Sequence, residues 1–170
     1  LYKMDMNKGT KKELATGLNE DQYVASEDGH LVAYEKEDPS KSKSVTVMNL
    51  ETDQEYEVTC KDGECIKPLG FMDGDFVYGV AKTEEVGTTL SGAQVIPMYK
   101  VEITSSKDKV IKTYEQSGIY MLSATFEDNM ITLDRAVKDG DTYTGTAQDY
   151  ITSSEEAKES NIYVQTYKTD

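Results

Sequence analysis

Hydrophobic and polar residues alternate with period two over short stretches, and turn residues interrupt them roughly every eight to twelve positions. The stretches 1–6, 11–15, 21–26, 30–36, 44–50, 55–59, 66–71, 75–82, 95–103, 109–114, 120–126, 130–137 and 162–168 read as strands. Between them lie turn residues such as Asn7-Lys8-Gly9-Thr10, Glu27-Asp28-Gly29, Asp73-Gly74 and Glu127-Asp128-Asn129. Two stretches compete for a helix. Lys11 to Ala15 is too short to hold one in water. Ser153 to Lys158 offers Ser at an N-cap with acidic residues in the first turn, but no apolar face.

The pattern repeats. Asp28-Gly29-His30-Leu31-Val32-Ala33-Tyr34 returns as Asp73-Gly74-Asp75-Phe76-Val77-Tyr78-Gly79, and more loosely as Asp128-Asn129-Met130-Ile131-Thr132-Leu133. A second motif, Leu1-Tyr2-Lys3-Met4-Asp5-Met6, returns at Val45, at Met98 and at Ile162. Such repetition means one supersecondary unit used several times. The unit has four strands, with the Asp-Gly hairpin between the first two. Residues 21–59 and 66–114 supply two complete units, 1–15 the third and fourth strands of another, and 120–168 the first three strands of a last one. The stretches Glu84 to Gln94 and Lys138 to Lys158 read as polar loops. The chain is thus expected to be a single all-β repeat region over 1–170.

Four strands in roughly 40 to 45 residues is the spacing of a β-propeller blade. The run Val24-Ala25-Ser26-Glu27-Asp28-Gly29-His30-Leu31-Val32-Ala33-Tyr34 resembles the Ser-x-Asp-Gly hairpin of TolB-like and dipeptidyl-peptidase-IV-like propeller blades. In those families a unit like Leu1-Tyr2-Lys3-Met4-Asp5-Met6…Gly9 precedes each such hairpin. This chain lacks an aromatic before Ser26 and carries Asn129 in place of the third glycine. The resemblance implies antiparallel four-stranded blades, about three of them, where wheels typically have four to eight. An arc of a larger wheel is the expected arrangement, and a start at Leu1 rather than Met agrees with further sequence outside this chain. A homodimer closing one wheel and a different antiparallel sandwich are the alternatives.

Composition narrows the partners. With 32 Asp+Glu against 18 Lys+Arg, the net charge of -14 repels phosphate backbones and anionic lipid, so no nucleic-acid partner is expected. No apolar run approaches the roughly 18 residues of a membrane span, so no membrane insertion is expected in this segment. No signal peptide is visible. Twelve Tyr, three Phe and no Trp suit half-buried strands. The two cysteines sit in Cys60-Lys61-Asp62-Gly63-Glu64-Cys65. A two-residue Asp62-Gly63 turn would place Cys60 opposite Cys65, within disulfide reach. A Cys60–Cys65 disulfide is therefore expected, and with it an extracytoplasmic location, secreted or at the cell surface. Two thiols and the distant His30 do not complete a zinc site, and the spacing is not Cys-x-x-Cys.

Little in the chain points to chemistry. There is no Gly-x-Ser-x-Gly, P-loop or Gly-x-Gly-x-x-Gly motif. His30 is the only histidine and is expected at an exposed turn. Carboxylate pairs (Asp73/Asp75, Glu84/Glu85, Asp139/Asp141, Glu155/Glu156) follow from composition. Neither Asp-Gly-Asp matches a calcium loop. The expectation is a non-enzymatic binding protein without cofactor, taking a protein or peptide partner through the loops Glu84 to Gln94 and Thr142 to Ser160. The alternatives are an accessory domain of a larger hydrolase or peptidase whose active site lies outside this chain, or a glycan-binding cell-surface module using a Tyr cluster.

Overall fold

Each period-two stretch pairs with its neighbour in sequence, so the fold is built of hairpins and is all-β. The structure is a computed structural model describing residues 1–105 and 109–153, and the backbone of 162–165. The helical turn considered after Ser153 and the pair Glu155/Glu156 lie outside the described residues.

Strands β1 (Tyr2–Asp5) and β2 (Thr10–Glu13) form a two-stranded sheet by themselves. Then come three antiparallel meanders of four strands. The first is β3 (Tyr23–Ala25), β4 (Leu31–Tyr34), β5 (Ser44–Asn49) and β6 (Glu55–Thr59), each paired with the next. The second begins with β7 (Glu64–Met72) and β8 (Asp75–Lys82). After an inserted hairpin, β9 (Gly87–Thr89) with β10 (Gln94–Val95), it continues as β11 (Met98–Thr104) and β12 (Val110–Glu115). The third is β13 (Tyr120–Glu127), β14 (Met130–Asp139), β15 (Thr142–Ser153) and β16 (Ile162–Gln165). A single pairing, Met98 with Met121, and a short parallel contact of β9 with β15 join the second and third meanders into one ten-stranded sheet. Among the described residues, no sheet closes on itself.

The units expected at 21–59 and 66–114 coincide with the first two meanders. The third differs. Residues 142–153, read as loop, form β15, and the stretch at Ile162 is a fourth strand rather than a third. Lys11 to Ala15 is strand β2 where it is regular at all.

The meanders stack as layers. Strand β8 is buried on both faces, as its nearly continuous apolar run implies. Phe76, Tyr78 and Val80 face Val45, Val47 and Ala33 of the first meander. Val77 and Ala81 face Met121, Leu133 and Ile151 of the third. Between them Gly79 has no room for a side chain: an added Cβ would lie 1.9 Å from the Met98 sulfur, and Met98 is fully buried. At the inner end, β7 pairs only with β8, which lets it accept Pro68 on its open edge. That edge lies between β3 and β13, so the first strands of all three meanders run side by side. Gly70 makes this approach close, with the Phe126 ring 2.6 Å from where its Cβ would be.

The turn at Asp62-Gly63 forms, with the Glu64 N–H donating to Lys61 O at 3.1 Å. It does not make a hairpin, and the expected disulfide is not formed: Cys60 and Cys65 are both free thiols. Cys60 leaves the first meander, its N–H bonded to Lys43 O at 3.0 Å, whereas Cys65 enters the second opposite Ala81. The turn joins two sheets that diverge, so its flanking residues are not cross-strand partners. Burial, together with the neighbouring Cys60 and Glu35, pushes the Cys65 thiol up to about 11, which suits an unreactive core residue.

Among the described residues, one buried side chain stands unsatisfied. Glu35 follows β4, is 1% exposed, and neither carboxyl oxygen has a hydrogen-bond partner. The nearby Ser42 hydroxyl is committed to Ser44 O at 3.0 Å. Burial pushes the Glu35 carboxyl up to about 8; Ser42 and Lys67 oppose this, and Asp21 and Asp38 add to it.

Two outcomes are expected. Gly79→Ala will lower stability to urea by about 2 kcal/mol, because an overpacked site surrounded by core cannot relax; shortening the opposing residue with Met98→Val will recover part of that loss. Glu35 makes stability depend on pH. The folded form keeps its proton up to about 8, while the unfolded chain releases it near 4.5, so folding binds a proton in this window. Stability therefore falls as pH rises through it, by at most about 1.4 kcal/mol per pH unit. Denaturation of wild type and Glu35→Gln at pH 5, 6.5 and 8 will show the variant gaining on wild type at each step.

Candidate functional site

The repeated Asp-Gly hairpins are positioned by the inner strands they connect, so the side-by-side packing of β3, β7 and β13 brings their tips together. Ser26, Asp28, Asp73, Gly74, Asp128 and Asn129 line one depression of about 800 Å³, with Phe71 and Met72 also in its wall. A second depression of about 640 Å³ adjoins it, sharing Glu27, Phe71 and Asp128 and adding Phe126 and Glu127. A third, of about 350 Å³, lies on the other side of Phe71 against Leu31, Val47 and Tyr56. Phe71 is thus common to all three, and its ring sits 5.5 Å from that of Phe76 in the core. None of the residues lining these depressions is basic, while Glu27, Asp28, Asp73, Glu127 and Asp128 carry carboxyl groups.

Each tip is held by its own chemistry. In the first, the Ser26 hydroxyl donates to Asp28 Oδ1 at 2.6 Å and accepts the Leu31 N–H at 2.9 Å, and Asp28 Oδ1 also accepts the His30 N–H at 3.0 Å. The Ser-x-Asp-Gly motif is therefore a self-contained turn. Its hydrogen bonds, with Ser26 first, hold the Asp28 carboxyl below the usual carboxylate range. In the second, Asp73 and Gly74 both have positive φ (53° and 83°), as a two-residue turn between twisted strands requires. Asp73 accepts a hydrogen bond from Ser153 at the end of β15, which ties this tip to the third meander. Burial and Asp73 push the adjacent Asp75 carboxyl up to about 6. In the third, Asp128 has a positive φ (36°), as Asp73 does at the matching position, while Asn129, which stands where the other copies have glycine, does not. Aspartate tolerates that region better than most residues.

The other sequence candidates lie elsewhere. His30 is half-exposed, its Nδ1 3.4 Å from Glu51 and 3.9 Å from Asp28, beside the first tip but outside the lining. Asp139 and Asp141 flank a turn at the opposite end of β14 from Asp128. Among the described residues, no group of three or more His, Cys, Asp or Glu side chains is arranged to hold a metal. The stretch Glu84 to Gln94 is not a free loop: Tyr143 donates to Glu85 O, Tyr120 donates to the Glu85 carboxylate at 3.3 Å, and β9 pairs with β15. Gly87 allows that docking, since an added Cβ would lie 2.8 Å from Asp141 O.

A buried charged cluster went unnoticed in the sequence because its members are far apart in the chain. Asp149, fully buried, accepts from the Tyr114 hydroxyl at 2.6 Å and from the Tyr150 N–H at 2.8 Å. Arg135, the only arginine, lies 3.6 Å from it and also donates to Ala147 O and Gln116. Burial and Asp149 push the Tyr114 hydroxyl up to about 12. Every member is partnered, so the cluster fastens β12 to β14 and β15.

No protein-family model matches this chain, and no curated protein matches it in sequence.

The motif makes a local forecast. Ser26→Ala removes a donor to Asp28 and an acceptor for the Leu31 N–H, and is expected to cost about 1 kcal/mol. In an NMR titration the Asp28 carboxyl will move up toward its ordinary range, while the other carboxyls stay put.

Proposed function

We propose that the three meanders are blades of a β-propeller arc, and that the chain is a non-enzymatic binding module for a basic peptide segment of a protein partner. The observation that carries this reading is the convergence of three equivalent hairpin tips on one acidic depression. The side-by-side inner strands and layered meanders support the blade arrangement, because blades radiate from such a row of first strands. Carboxylates from all three tips, with no basic residue among the lining, concentrate negative potential in a concave surface. Phe71 and Phe126 add apolar area on which a side-chain stem or ring of the partner can rest. This face takes the place of the loops expected from sequence, since β9, β10 and β15 run through 87–89, 94–95 and 142–153; residues 154–160 lie outside the described ones. The expectation of an extracytoplasmic location rested on the disulfide and does not enter the proposal.

Titration with a tetralysine peptide, followed by backbone amide shifts, tests the reading. Shifts are expected at residues 26–29, 71–74 and 126–129 together, with one dissociation constant. Affinity will fall on the order of tenfold at high salt, as screened surface charge requires. Glu27→Lys, at an exposed position, will weaken binding, and tetraglutamate will not bind. Shifts at one tip alone, or equal binding of tetraglutamate, would contradict the proposal.

A further inference from the structure

Gln22, Glu35 and Ser42, three of the five buried polar side chains among the described residues, gather where the chain leaves β4. Two short segments cover Glu35 there. One is the 3-10 turn Glu20–Gln22: Gln22 O accepts the Glu35 N–H at 2.9 Å, and the Gln22 side chain donates to Glu37 O at 2.8 Å. The other is the turn after Glu37, closed by the Lys41 and Ser42 N–H groups on Asp38 O, both at 2.9 Å. This turn reaches the second meander through the Ile66 N–H, which donates to Ser42 O at 2.9 Å. The Gln22 amide and the Ser42 hydroxyl are spent in holding the cover shut, and neither Glu35 oxygen has a partner. The charges around Glu35 are placed asymmetrically. Asp21 and Asp38 act on it from the two covering segments, and Lys67 acts on it from β7; the Ser42 hydroxyl and the Cys65 thiol beside it are neutral.

We propose that segments 20–22 and 36–43 form a pH-operated flap: loss of the Glu35 proton lifts them off β7 and lets water reach the carboxylate, while all three meanders stay paired. A carboxyl shut in without a hydrogen-bond donor cannot hold a charge, so ionisation and closure exclude each other. The direction of movement follows from the surrounding charges. An ionised Glu35 is repelled by the carboxylates of the cover and attracted by the ammonium on β7, so the cover is the part that leaves. Opening is local, because it breaks the Glu35–Gln22 and Ile66–Ser42 backbone hydrogen bonds and no strand ladder. The flap lies at the opposite end of β4 from Asp28, so the acidic depression is unchanged by it. The closed form keeps the proton up to about 8 and the open form releases it near 4.5. Opening is therefore increasingly favoured as pH rises between these values and levels off above 8.

Amide hydrogen exchange of the native chain between pH 5 and 9 tests this. The amides of Glu35, Ser42 and Ile66 are expected to exchange faster than those of Ile131 and Leu133 in the core. Corrected for intrinsic base catalysis, their rates will rise by up to about tenfold per pH unit and level off near pH 8. In Glu35→Gln the corrected rates will not change with pH. Sub-denaturing urea will accelerate Ile131 and Leu133 and leave the three flap amides unchanged, because a small opening exposes little surface. Asp21→Asn, at an exposed position, removes one repelling charge and will lower the corrected rates at pH 8 about threefold. Flap amides that exchange no faster than the core overturn the proposal, since only global unfolding would then expose them. Corrected rates independent of pH in wild type, or the same rise in Glu35→Gln, overturn it too, because Glu35 would then not govern the opening.

Discussion

Everything in this molecule depends on the close approach of β7 to its two neighbours. A strand with one partner normally exposes its other edge to water. Here that edge carries Pro68, which has no N–H to leave unpaired, and Gly70, which has no side chain to hold Phe126 away. The two residues make it sterically and electrostatically acceptable for first strands to run side by side without a ladder between them. Once they do, the meanders stack as layers, and β8 must be apolar on both faces.

The acidic depression is a consequence of the same packing. The hairpin tips are fixed to the ends of β3, β7 and β13, so aligned strands deliver aligned tips. Each tip is held in its own way: the first by the Ser26–Asp28 hydrogen bonds, the second by the double positive φ at Asp73-Gly74 and the Ser153 hydroxyl on Asp73, the third by the Ser153 N–H donating to Asn129 O at 2.8 Å. Repulsion among the carboxylates is tolerated because the tips face solvent. Glu35 is the contrasting case. Its carboxyl is buried without a partner and stays protonated instead, a local cost the fold carries between its first two layers.

The repeated hairpins were legible in the sequence because their signals are local. Asp-Gly flanked by alternating apolar residues specifies turn, register and face at once, and two of the units fall where the pattern puts them. What was not legible depends on distant partners. Strand β15 reads as a loop in the sequence because its middle is rich in Thr rather than Val or Ile, although Thr alternating with Tyr143 is a strand signal in its own right. Cys60 and Cys65 looked like partners because the turn between them is real, but a turn does not reveal whether its arms stay in one sheet. The Tyr114–Arg135–Asp149 cluster and the docking of β9 on β15 join residues with no sequence proximity at all.

The most direct measurement of the central arrangement is the nuclear Overhauser contact between the Phe126 ring and the α-protons of Gly70. The account predicts a strong contact, with the Gly70 α-protons displaced upfield by the ring lying over them. Absence of both in a folded sample would mean that β7 and β13 do not run together. The tips would then not share a depression, and the meanders would have to be arranged in some other way.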